Sequence, residues 1–170
     1  YAAFLQHPDW GLGVVRESFH QSKLMQSEPE MTRRAFTVEE ANVMLPELEE
    51  ILHSIDSKKG EIAENVKQLQ ILDTLWGEAV AAKNNPDHSE FVAHRHKVNA
   101  TYQAIEKVVH AELLGRGLRF PAGGLEHGLV DFPSTFRGRW VYLCWRRGED
   151  RVGFWHEVDG GYGGRCEISD

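Results

Sequence analysis

A chain of 170 residues with 41% hydrophobic content can bury one compact core, with or without an elongated appendage. Its net charge of −7 and isoelectric point near 5.7 argue against nucleic acid as a partner, because binders of polyphosphate display a basic face that releases counterions. No apolar run approaches the roughly 20 residues of a membrane helix, and the two cysteines, Cys144 and Cys166, form neither a disulfide framework nor a Cys-x-x-Cys pair, so a reducing, cytoplasmic compartment is expected.

Residues 1–30 mix a short apolar patch (Trp10, Leu12, Val14, Val15) with polar sequence and show no sustained period. Residues 1–35 are therefore expected to be an extension outside the fold, with Met31 readable as a start. Thr37-Val38-Glu39-Glu40 is a capping box, in which the Thr37 hydroxyl accepts from the Glu40 amide while the Glu40 carboxylate reaches back. From there apolar residues recur at spacings of four and three: Ala41, Leu45, Leu48, Leu52, Ile55, Ile62, Val66, Leu69, Trp76 and Val80. Such a seam serves either a partner in a coiled coil or the chain's own next helix, and the second is the plainer reading. Pro46, Gly60 and Gly77 are its weak points.

Lys83-Asn84-Asn85-Pro86-Asp87 is turn chemistry, and Asp87 with Glu90 offers a second cap. A further helical stripe, Phe91, Val98, Tyr102, Ile105, Val109 and Leu113, runs until Gly115 and Gly117 close it. Residues 36–119 thus predict a long antiparallel, coiled-coil-like hairpin whose far end projects from the rest of the fold.

Beyond Pro121-Ala122-Gly123-Gly124 the period falls to two. Trp140–Arg146 and Arg151–Val158 predict a β-hairpin, and a shorter strand is expected from Gly128 to Phe132, ending at Pro133. The fold class is accordingly α+β, with residues 120–170 forming an antiparallel β unit of about three strands packed on the hairpin base. Two hairpin registers are open. A two-residue loop sets Leu143 opposite His156, whereas a three-residue loop sets Tyr142 opposite His156 and Leu143 opposite Trp155.

Phe36–Asn42, Leu45-Pro46-Glu47-Leu48, Gly128–Pro133, Val141–Arg146 and Trp155-His156-Glu157 together resemble an uncharacterised bacterial family, domain-of-unknown-function family 2203, from about Phe36 to Ile168. The resemblance implies no activity, cofactor or partner that can be carried over.

The densest polar cluster is His156-Glu157 with Asp159, to which Asp131 and His127 add if the short strand lies beside the hairpin. Asp131, His156 and Glu157 are the candidate ligands of a divalent metal, since imidazole and carboxylate suit zinc, manganese or iron. Consecutive strand residues face opposite sides, however, and the competing reading makes His156 a structural histidine and Glu157 a partner of an arginine. Arg146 with Trp145 and Trp155 is the candidate ligand-binding set. Arg137, Arg139, Arg146, Arg147 and Arg151 crowd the hairpin, with Arg165 beyond it, and guanidinium forks suit anions while tryptophans stack on planar rings; pairing with Glu149, Asp150, Glu157 and Asp159 is the plainer account. Cys144 as nucleophile, with His156 as base and Asp131 as orienter, is disfavoured because a mid-strand cysteine between Leu143 and Trp145 reads as a small buried hydrophobe. His94 and His96 read as surface residues, and the Asp159–Arg165 glycine-rich stretch as a turn.

The leading expectation is a non-enzymatic interaction or oligomerisation module of a bacterial cytoplasmic protein, forming a homodimer or docking a protein partner through the hairpin. The alternative is a small-ligand or divalent-metal site in the β unit around Asp131, His156 and Glu157.

Overall fold

The computed structural model describes residues 34–121 and 124–168, so the expected N-terminal extension lies outside the described residues apart from its last two positions. The fold is α+β: two long helices precede a four-stranded antiparallel sheet.

Helix α1, Val38–Trp76, begins at the expected box. The Glu40 amide donates to Thr37 Oγ1 at 3.1 Å and the Thr37 amide to Glu40 Oε2 at 3.0 Å. That backbone bond, with Arg34 at 2.8 Å, holds the Glu40 carboxyl below the usual range. The helix passes through Pro46 and Gly60 without a break and ends where Gly77 turns to φ 55°. Val80 therefore sits not in α1 but in a 3-10 turn, Gly77–Ala81, which buries it.

Helix α2 spans His88–Val108 and runs on through a π turn, Val109–Leu113, and a 3-10 turn, Leu114–Arg116, before Gly117 closes the segment at φ 83°. Asp87, expected as a cap, places its carboxylate on the Trp76 indole N–H at 2.7 Å.

The described residues fall into two compact units. The first, residues 54–107, pairs the C-terminal part of α1 with α2. Ile55, Ile62, Val66, Leu69, Leu72 and Val80 are buried there with Phe91, Val98 and Ile105. The α2 residues recur every seventh position, and Asn65 meets His94 at 2.8 Å, as antiparallel pairing requires.

The second unit, residues 34–53 with 108–168, holds the sheet. It buries Ala41, Leu45, Leu48 and Leu52, so the part of the α1 stripe that extends beyond the α2 stripe is covered within the chain. Strands β1 (Leu129–Phe136), β2 (Arg139–Arg146), β3 (Phe154–Glu157) and β4 (Cys166–Glu167) lie in that order, each antiparallel to its neighbour. A short helix α3, Gly124–His127, leads into β1. Gly128, at φ 65°, leaves no room for a side chain, since a Cβ there would stand 2.7 Å from that of Arg147.

Two expectations need correction. The first strand does not end at Pro133 but continues to Phe136, which a proline permits because β1 is an edge strand and needs no donor on that side. The sheet also has a fourth strand, two residues long and too short to show a period. Between β1 and β2, Arg137 and Gly138 both take positive φ, 51° and 77°, the geometry of a tight primed hairpin turn. Between β2 and β3 the register pairs Tyr142 with His156 and Leu143 with Trp155, the second of the two open possibilities.

Cross-strand partners share a face, so Val130, Phe132, Val141, Leu143, Trp145 and Trp155 lie on one side. Phe132 meets Phe36 edge to face at 5.7 Å, and Ser134 Oγ donates to the Phe36 carbonyl at 2.6 Å, fastening β1 to the start of α1. The loop between β2 and β3 is held by the Val152 amide, which donates to Asn42 Oδ1 at 2.8 Å. Asn42→Ala would leave that buried donor without its acceptor, and a loss of about 1–3 kcal/mol is expected in urea unfolding with an unchanged slope.

Candidate functional site: a buried Asp, Cys and His on one sheet face

The other face carries Asp131, Cys144 and His156, each fully buried. What brings the first two together is backbone direction. The Asp131 amide and carbonyl both bond Arg119, at 2.8 and 2.9 Å, on the side of β1 away from β2. Asp131 and Cys144 are therefore a non-hydrogen-bonded antiparallel pair, the kind whose side chains stand closest. His156 is diagonal to Cys144 on β3, one pair along. The nearest ligand-type atoms of the three residues all lie within 4.8 Å of one another.

His156 is oriented by its own backbone. Its Nδ1 lies 2.7 Å from the Glu157 carbonyl, which can only accept, so Nδ1 carries a hydrogen. In the neutral ring the lone pair is then on Nε2, which faces Asp131 Oδ1 at 3.3 Å. Beyond that contact and the neighbouring Cys144 thiol, neither Nε2 nor either Asp131 oxygen has a well-formed hydrogen bond among the described residues. A lone pair and a carboxylate oxygen repel at that distance unless a proton or a cation lies between them.

Burial pushes the Asp131 carboxyl up, partly offset by His156, Cys144 and Arg119. Burial, with the nearby Asp131 charge, likewise pushes the Cys144 thiol up to about 12. The cluster is thus short of positive charge at its centre while its rim is cationic. Arg119 lies 4.3 Å over the Tyr142 ring with its Nε 3.9 Å from Asp131 Oδ2, too far for a hydrogen bond. Tyr142 in turn lies against the His156 ring at 5.6 Å. On the other flank Arg165 sits 4.0 Å over Phe154, donates to both Glu149 carboxylate oxygens at 2.8 and 2.7 Å, and reaches the Cys144 carbonyl at 3.4 Å.

Of the expected metal ligands, Asp131 and His156 come together and Glu157 stands apart: its side chain pairs with Arg139 at 3.1 Å, and only its carbonyl serves the cluster. His127 and Asp159 are exposed. The expected ligand-binding set is split between faces. Trp145 is buried with its indole N–H on the Glu149 carbonyl, and Trp155 packs on Phe136 at 5.0 Å, both away from the cluster. Arg146 is exposed and donates to the Tyr162 hydroxyl at 3.2 Å. Arg147 pairs with Glu49 at 3.0 Å.

Sequence reasoning paired Asp131 with Cys144 and His156 only in the disfavoured nucleophile arrangement. It missed Arg119, whose position depends on an isolated one-residue bridge with no pattern of its own. A raised thiol is a poor nucleophile. Iodoacetamide at mildly alkaline pH should therefore add once to the native chain, at exposed Cys166, and a second time only after unfolding; equal labelling of Cys144 in the native state would contradict its burial.

No curated protein and no solved structure matches the chain. The sequence model of one family, described as "Uncharacterized conserved protein (DUF2203)", matches residues 34–168, which takes in both long helices and all four strands. On that match the chain belongs to the DUF2203 family.

Proposed function

We propose that this protein binds a divalent transition-metal ion, zinc foremost, through Asp131, Cys144 and His156. The observation that carries the reading is the gathering of three buried atoms without a well-formed hydrogen bond, His156 Nε2 and both Asp131 oxygens, with the Cys144 thiol, all within 4.8 Å of one another. Buried polar atoms are ordinarily satisfied, and a cation satisfies all of them together. The 3.3 Å from Nε2 to Oδ1 equals the edge of a tetrahedron with ligand bonds of about 2.0–2.1 Å. Tying Nδ1 to a backbone carbonyl is also how metal-binding histidines are usually aimed. A sulfur in the set disfavours magnesium and calcium and suits zinc. Two free cysteines accord with a reducing cytoplasmic setting, in which a thiolate ligand persists.

Three protein ligands leave a tetrahedral ion one further position, as in sites that act on a bound molecule rather than closed structural sites. Protein treated with chelator should take up one equivalent of zinc and gain thermal stability from it. Asp131→Asn, Cys144→Ser and His156→Gln should each lose most of that uptake, whereas Glu157→Gln should keep it. Wild-type protein that neither retains zinc nor is stabilised by it would remove the proposal.

The helical unit supports a second reading, an interaction surface. Ile71 and Leu75, one turn apart on α1, are 46% and 66% exposed, and Val92 on α2 is 46% exposed. A homodimer or a protein partner covering these residues is the corresponding proposal. Light scattering at micromolar concentration should then give a dimer mass that Leu75→Glu returns to a monomer; a monomer in the wild type would exclude self-association.

A further inference from the structure

The geometry points to a ligand class for the remaining position of the metal site: a small carboxylate, held between the ion and the Arg119 guanidinium. The inference rests on the metal reading and deepens it.

The first support is charge. A dication bound by the Asp131 carboxylate and a Cys144 thiolate makes a neutral group, since the imidazole adds nothing. Among the described residues Arg119 is then left beside it with no other carboxylate within 4.0 Å, because the one it approaches is Asp131, now a metal ligand. Arg165 differs, being already neutralised by the two-pronged contact to Glu149. The surplus is a single positive charge, which a monoanion balances and a phosphate dianion exceeds.

The second support is hydrogen bonding. The Arg119 guanidinium is oriented by the Tyr142 ring at 4.3 Å and by Asp131 Oδ2 at 3.9 Å, yet neither contact satisfies its N–H groups. At 4.3 Å from the ring centroid the guanidinium is close enough to stack, and a stacked guanidinium presents its donors as a fork, the geometry that matches a carboxylate. Arg147 and Arg116, by contrast, have carboxylates at 3.0 and 2.6 Å.

The third support is access. The Arg119 side chain is 31% exposed while that of Asp131 is fully buried, so Arg119 reaches from the cluster to solvent. It is held in place by backbone bonds to Asp131 that do not involve its side chain. The guanidinium can therefore swing on its methylene stem to admit a ligand without breaking the sheet.

The test uses the full chain loaded with cobalt(II), whose visible absorption reports the ligands of the ion, and titrates it with acetate or with phosphate. Acetate should shift the spectrum saturably. Arg119→Gln should keep one equivalent of cobalt and bind acetate roughly tenfold or more weakly, the effect of losing a charged hydrogen-bonded pair. Arg119→Lys, which keeps the charge and loses the fork, should fall between the two and serves alone if Arg119→Gln does not fold. Cobalt bound with no acetate response, or with equal responses in wild type and variants, would overturn this inference and leave the metal site standing. A response to phosphate alone would overturn the choice of a carboxylate. Failure of the wild type to bind cobalt would remove both.

Discussion

Asp131 directs both of its backbone hydrogen bonds outward to Arg119, and the organisation of the sheet's polar face follows from that single bridge. Because those bonds point away from β2, the carboxylate is paired at close range with Cys144, and the same bridge sets the Arg119 side chain over the same face. A shift of one residue would turn Asp131 toward the face of Phe132 and Phe36 and bring an apolar neighbour to this side. The register is held further along the same edge strand too, where the Pro133 carbonyl accepts from the Phe36 amide and Ser134 Oγ donates to the Phe36 carbonyl. Two sets of contacts along β1 thus fix where one carboxyl group lies.

The cost of this arrangement is considerable. A buried donor or acceptor without a partner forfeits about 1–3 kcal/mol, and in the cluster the 3.3 Å contact of His156 Nε2 with Asp131 Oδ1 and the neighbouring Cys144 thiol offset only part of such a loss. A fold of ordinary stability, about 5–15 kcal/mol, carries such a load only with strong compensation nearby. Part of that compensation is visible in the stacks of Arg119 on Tyr142 and Arg165 on Phe154, which shield the face while keeping cationic groups at its edge. The proposed ion would supply the rest by replacing the missing hydrogen bonds with metal bonds.

The helical unit obeys simpler physics. Its buried residues follow one stripe on each helix, and polar contacts such as Asn65 with His94 fall at the edge of the seam. It has two buried polar atoms without a partner, Arg95 Nε and Asn99 Oδ1, but neither belongs to a group of metal-ligating side chains. The sheet is where chemistry is proposed, and the exposed Ile71, Leu75 and Val92 are where the helices would meet another chain.

Local and periodic features were determined by the sequence itself. The Thr37 and Glu40 box starts α1, the four-three spacing from Leu45 to Leu69 defines its buried side, and the β-branched and aromatic run Trp140–Arg146 marks β2, because each depends only on neighbours within a few residues. The end of β1 beyond Pro133, the two-residue β4, and the choice between two hairpin registers were decided by the tertiary structure. A proline is compatible with a strand only if that strand lies at an edge, and edge position is a property of the whole sheet. The candidate site belongs to the same class. Asp131, Cys144 and His156 were each visible as chemically able residues, but their grouping without Glu157, and the arrival of Arg119 beside them, depend on pairings between strands far apart in the chain. Sequence spacing carries no information about which of two faces a residue shares until those pairings are set.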